Sequence, residues 1–246
     1  MSEIQTQTVQ IPNGPLLIDA YLAQPVGLDS CPAVIVFQEI FGVNAHIRDV
    51  TDRIAREGYV AIAPALYQRT APGFDVGYTD AEVQLGRSYK VQTTAAELLS
   101  DTQAAISYLR THPQVGGQAI GCIGFCFGGH VAYLAATLPE IIATASFYGA
   151  GIATLTPGGG APTVSLTDQI QGTMNAFFGT QDPLIPNPEI DQIEAALQEQ
   201  PHPHRLFRYP TGHGFFCDRR ASYHPDSAAD AWEKVCQLFQ TTLTTP

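Results

Sequence analysis

Lysine is almost missing from this chain: Lys90 and Lys234 are the only two, and with ten arginines they face 23 acids, giving a net charge of −11. So little base argues against nucleic acid or an anionic membrane as partner. It does not argue against a small anion, which needs only one or two well-placed arginines or a helix N-terminus. The first 25 residues lack a basic segment followed by a long apolar run, and no stretch approaches the roughly eighteen uninterrupted apolar residues of a membrane span. Cysteines are few, five in all, odd in number and scattered, which excludes a disulfide framework. A cytoplasmic protein is expected. No internal repeat stands out, and Thr156-Pro-Gly-Gly-Gly-Ala-Pro162 is a low-complexity stretch too short for an interdomain linker. With 45% hydrophobic residues there is material for one large core, and residues 1–246 are expected to form a single domain.

What is present is an alternation of short apolar runs with amphipathic segments. Residues 6–11 and 16–22 flank a Pro-Asn-Gly-Pro turn and predict a hairpin. Ala33–Phe37, Tyr59–Ala63, Ile120–Phe125, Ile141–Phe147 and Thr173–Phe178 are continuous apolar runs suited to strands buried on both faces, and His204–Tyr209 closes the series. Between them, Asn44 is placed to cap a helix closed by Gly58, and Thr94 and Glu97 have capping-box spacing. Asn187-Pro188-Glu189 reads as an N-cap, a first-turn proline and a first-turn acid, and Trp232, Val235, Phe239 and Leu243 form the apolar stripe of a last helix. Residues 64–92 are a long excursion of the kind that shapes binding sites. The pattern implies an α/β fold: a mostly parallel sheet with helices on both faces and ligand chemistry at the carboxyl ends of its strands.

One stretch carries chemistry. In Gly124-Phe-Cys126-Phe-Gly128-Gly129 an apolar strand turns into an alanine-rich helix, with small residues where a tight strand-to-helix turn leaves no space for a Cβ. This is a nucleophile elbow with Cys126 at the apex. The order Cys126, Asp182, His213 is the nucleophile, acid, histidine order of α/β-hydrolases, and each residue follows a predicted strand. A free thiol is mostly protonated at neutral pH, so His213 is the expected base and Asp182 its orienting acid. The backbone N–H groups of Phe127 and Ile40 are the expected oxyanion donors. Cys31 and Cys122 read as core residues, and Cys236 as a core-edge residue. Cys217 lies four residues beyond His213, where it can line the site. A zinc site from Cys122 and Cys126 is disfavoured because a strand-to-turn path points them apart. No metal and no cofactor are expected.

The blocks Gln38-Glu39-Ile-Phe-Gly-Val-Asn44, Pro64-Ala-Leu-Tyr67, Gly124-Phe-Cys126-Phe-Gly-Gly129, Gly179-Thr-Gln-Asp182 and Gly212-His213-Gly-Phe215 resemble the dienelactone hydrolase (carboxymethylenebutenolidase) family over nearly the whole chain. The resemblance implies an α/β-hydrolase fold without a large cap domain. It also implies a Cys126–His213–Asp182 triad and a role for Glu39 as a carboxylate that contacts the resting thiol and takes its proton when substrate enters. The substrate expected is a small ester or lactone, an anionic one included, cleaved through a thioester. The family's two carboxylate-binding arginines are replaced here by Cys217, four residues after the histidine, and by Leu85, four before Tyr89. Tyr89, Arg87, Arg69, Phe215 and Cys217 are therefore the candidate substrate contacts, with Arg219 and Arg220 as further sources of positive charge. Rival readings on the same fold are a non-hydrolytic ligand-binding or redox-sensing protein and an acyltransferase.

Overall fold

In the computed structural model, which describes residues 3–244, the chain begins with the expected hairpin, β1 (Ile4–Asn13) against β2 (Leu16–Pro25). Residues 1–2 and 245–246 of the expected 1–246 unit lie outside the described residues. The other strands are β3 (Ala33–Phe37), β4 (Val60–Pro64), β5 (Ile120–Phe125), β6 (Ile141–Phe147), β7 (Thr173–Gly179) and β8 (His204–Tyr209). All eight form one sheet in the order β1-β2-β4-β3-β5-β6-β7-β8. β2 runs antiparallel to β4, and every pairing from β4 to β8 is parallel. Parallel strands need crossovers, and the helices that supply them bury both faces of the sheet.

Helices α1 (Ala45–Arg56) and α6 (Pro225–Leu243) bury Ile47, Val50, Ile54, Val235 and Phe239 against one face, where Val34, Val36, Ile123 and Phe125 point. On the other face α3 (Ala95–Thr111) and α4 (Phe127–Ala135) bury Leu98, Leu109, Val131 and Leu134 against Ile35, Phe37, Ile120 and Cys122. Cys122 points into one core layer from within β5, and the turn that leaves the strand at φ 56° sends Cys126 into the other. This is the divergence expected of the pair.

Local signals explain the helix ends. Asn44 Oδ1 accepts from the Ile47 N–H at 3.3 Å, and α1 is followed by Gly58 at φ +97°. Thr94 and Glu97 form a reciprocal capping box at the start of α3. Two expectations need correction. Residues 64–92 are not a featureless excursion, because they contain α2 (Asp80–Lys90), opened by its own capping box of Thr79 and Glu82. Asn187 is the first residue of α5 (Asn187–Gln198) rather than its cap; Pro186 occupies that position, and the Asn187 side chain donates to Thr180 O at 3.3 Å instead. No large cap is inserted among the described residues, and no helix there is long and apolar enough to cross a membrane.

Candidate active site

The parallel register levels the carboxyl ends of β3, β5, β6, β7 and β8 along one edge: Phe37 pairs with Gly124, Phe125 with Phe147, Phe147 with Phe177, and Gly179 with Tyr209. The residues that follow these ends are Glu39, Cys126, Tyr148, Asp182 and His213. Topology alone therefore gathers them at one edge.

Cys126 sits between β5 and α4 at φ 56°, ψ −114°, a backbone conformation that side chains rarely adopt. It is held there by its N–H to Phe147 O at 3.0 Å and by its carbonyl, which accepts from the His130 N–H at 3.2 Å. The flanking glycines are obligatory: a Cβ on Gly124 would lie 1.9 Å from Gly128 O, and one on Gly128 would lie 2.2 Å from Phe37 O. Phe127 is the first residue of α4, so its N–H has no carbonyl a turn earlier in the helix. Ile40 lies in the turn just after β3.

His213 is fixed through one ring nitrogen. Nδ1 and Asp182 Oδ2 are 2.7 Å apart, and Asp182 Oδ1 accepts the Leu184 N–H at 2.8 Å. Ser222 Oγ donates to His213 O at 2.6 Å, and the ring meets Tyr148 edge-on at 5.1 Å. His213 Nε2 is buried and makes no hydrogen bond. Burial opposes the imidazolium, but the neighbouring Cys126 and Asp182 outweigh it and push the His213 pKa up to about 10. For Cys126, burial raises the thiol pKa, while His213 and Arg220 pull it down past the opposing push of Glu39; the net direction is down. Thiol and imidazole are thus coupled, each shifting the other toward its charged form.

Glu39 is 1% exposed, and Arg220 Nη1 donates to its Oε1 at 2.9 Å, leaving Oε2 without a partner. An ion pair thereby holds Glu39, whose charge also acts on the Cys126 thiol. It is made possible by Gly214 at φ +79°, where a Cβ would lie 2.6 Å from the Arg220 guanidinium carbon. Arg220 also lies over the rings of Phe41 and Tyr78, about 6 Å from each centroid. Cys217 is buried beside them, its S–H donating to Tyr78 Oη at 3.3 Å, and burial raises its pKa to about 11.

The other candidate substrate contacts are not gathered here. Arg69 is bound to both carboxylate oxygens of the buried Asp101, 2.7 Å from Oδ1, and lies 3.8 Å from Glu97. Its partner explains the correction: Asp101 is 1% exposed and needs a cation. Arg87 is exposed on α2. Phe215 is fully buried against Tyr148, Tyr209 and Phe147, so its role is packing. Tyr89 is half-buried between Phe74 and Tyr67, and Tyr67 stacks on Phe127 at 6.0 Å, which ties the 64–92 segment to the elbow. Two residues escaped the sequence reading. Tyr148, at φ 36°, has a fully buried hydroxyl without a partner, and its pKa is raised by burial and by Glu39. His46, on α1, is 2% exposed, and burial lowers its pKa. For Tyr148 the signal was its place directly after β6; for His46 there was none.

The dienelactone hydrolase family model matches residues 18–243. The chain belongs to this family. A dienelactone hydrolase-like hydrolase of this kind has a Synechocystis relative named "Putative carboxymethylenebutenolidase", 57% identical over 98% of each chain. A Bradyrhizobium protein named "Probable 2-oxo-3-(5-oxofuran-2-ylidene)propanoate lactonase" is 32% identical over 88% of this chain and 86% of its own. Among solved structures, one titled "Putative Dienelactone Hydrolase" from Klebsiella pneumoniae superposes with a TM-score of 0.86 at 29% identity, covering 96% of this chain and 98% of the other. The sheet and its helices are therefore the α/β-hydrolase fold of the dienelactone hydrolases.

Proposed function

We propose that this dienelactone hydrolase-like protein cleaves small esters or lactones with Cys126 as nucleophile. The Cys126 sulfur attacks the carbonyl carbon, and its proton passes to His213 Nε2, the nitrogen left unbonded when Nδ1 is taken by Asp182. The tetrahedral oxyanion is held by the Phe127 and Ile40 N–H groups. As the carbon–oxygen bond to the alcohol or enol breaks, the imidazolium returns the proton to the departing oxygen and a thioester remains. Water, deprotonated by His213, then adds to the thioester carbon, and collapse releases the carboxylic acid and restores the thiol. Asp182 keeps Nε2 directed at the reaction and stabilises the imidazolium in both halves.

The observation that carries this reading is a thiol held on a strained turn and coupled to a histidine whose ring is oriented by its carboxylate partner. At 9% exposure for Cys126 and 7% for His213, the pair is largely shielded from water. For an anionic substituent, as in the lactone named for the Bradyrhizobium relative, the arginine we assign is Arg220, beside Glu39. Purified protein and Cys126→Ala are to be compared on aryl esters and enol lactones. The variant is expected to lose at least about a thousandfold in kcat/KM, and equal turnover by both proteins would refute a Cys126 mechanism.

A further inference from the structure

We propose that Glu39, His46 and Cys217 form a binding site for a borderline-soft divalent cation of the Zn2+ class, distinct from the Cys126–His213 pair. One ligating atom from each residue lies within 4.8 Å of the others, and all three residues are buried. Two of them hold polar atoms that protein contacts leave unused: Glu39 Oε2 and His46 Nε2 are both enclosed and without hydrogen-bond partners, in side chains 1% and 2% exposed. Buried polar atoms of native folds are nearly always satisfied, so two orphans in one cluster point to a missing partner. Thiolate, imidazole and carboxylate are the donors Zn2+ selects. A tetrahedral ion with bonds of about 2.0–2.3 Å keeps its ligands roughly 3.4–3.6 Å apart, so small side-chain rotations close the cluster.

On binding, the Cys217 thiol loses its proton to solvent and a sulfur–metal bond forms. Glu39 Oε2 turns to the metal while Oε1 stays with Arg220, so the divalent ion, the guanidinium, the carboxylate and the thiolate together carry one net positive charge. Tyr78, which now accepts from the Cys217 S–H, turns its own hydroxyl to donate to the thiolate. A groove of about 390 Å³, lined by His46, Asp49, Arg53, Phe216, Asp218 and Trp232, adjoins the cluster at His46. Its two carboxylates attract cations, and its one cation, Arg53, is engaged over the Trp232 ring at 4.0 Å.

The site shares Glu39 with the surroundings of Cys126, so its test is done without that thiol. Cys126→Ala protein is titrated with Co2+ and followed by absorption. A near-ultraviolet sulfur-to-cobalt band saturating at one equivalent and erased by Zn2+ is expected. Cys126→Ala/Cys217→Ser should lose the band. Cys126→Ala/His46→Phe, which keeps a ring against Phe125 and Phe216, should bind at least about tenfold more weakly, since ligand removal typically costs that much or more. The proposal is overturned if folded Cys126→Ala protein gives no band, if the band survives Cys217→Ser, or if His46→Phe binds equally well.

Discussion

Two arginines, Arg69 and Arg220, mark the difference between two regions of this molecule. Arg69 belongs to the segment after β4 and is taken up by Asp101 on α3, holding that segment to the body of the fold. Arg220 belongs to the loop after His213 and is taken up by Glu39, inside the site. Both are half-buried cations on a buried carboxylate, yet only one faces the chemistry. The wider contrast is the same. The elbow, Asp182 and His213 are placed by backbone: strand ends, a positive-φ residue and glycines with no space for a Cβ. The 64–92 segment and the residues after His213 add to their backbone contacts the side-chain pairs Arg69–Asp101 and Arg220–Glu39, which sequence can exchange without breaking the sheet. Attack geometry is thereby separated from substrate choice.

The comparison can be tested from both ends. On the backbone-fixed side, Asp182→Asn removes the partner that sets the His213 tautomer, and kcat should fall about a thousand- to ten-thousandfold with the fold intact. A loss under tenfold would mean that His213 works without Asp182. Gly128→Ala places a Cβ 2.2 Å from Phe37 O and should destabilise the protein by about 1–3 kcal/mol or more. Gly117→Ala, which meets nothing within 4 Å, should change stability by less than about 0.5 kcal/mol in the same denaturation series. Equal midpoints for the two would show that the elbow tolerates repacking.

On the side-chain-placed side the effects are smaller. Glu39 pushes the Cys126 pKa up and Arg220 pulls it down. Glu39→Gln removes the first and frees the second, so the pH midpoint of Cys126 alkylation should move to lower pH. An unmoved or raised midpoint would count against Glu39 controlling the thiol. Arg69→Ala should cost about 1–3 kcal/mol of stability through the orphaned Asp101, toward the lower end because solvent reaches Arg69, and leave kcat nearly unchanged. A selective rise in KM for anionic substrates would return Arg69 to the substrate contacts.

Much of this was legible in the sequence, for physical reasons that differ by residue. Strands buried on both faces are unmistakable as apolar runs, and in a parallel sheet the residue after each run is delivered to one edge, so Cys126, Asp182 and His213 could be found by position. Helix α2 shows the limit. Thr79 and Glu82 carry the same capping signal as Thr94 and Glu97, but α3 buries a full apolar face while α2 buries only Gly86. Without hydrophobic periodicity the cap alone did not declare a helix. The partners of Arg69 and Arg220 were illegible because Asp101 and Glu39 lie 32 and 181 residues away in the chain, and the uncommitted nitrogen of His46 is a property of packing that composition does not record.

The central claim, that the acyl group passes through Cys126, is tested most directly by acid-quenching the enzyme during turnover of an aryl acetate and mapping the acetyl group by mass spectrometry. The account predicts an acetyl thioester on the peptide carrying Cys126, enriched in Asp182→Asn and absent from Cys126→Ala. An acetyl group on another residue that forms and decays at the rate of turnover, or full turnover by Cys126→Ala, would contradict it.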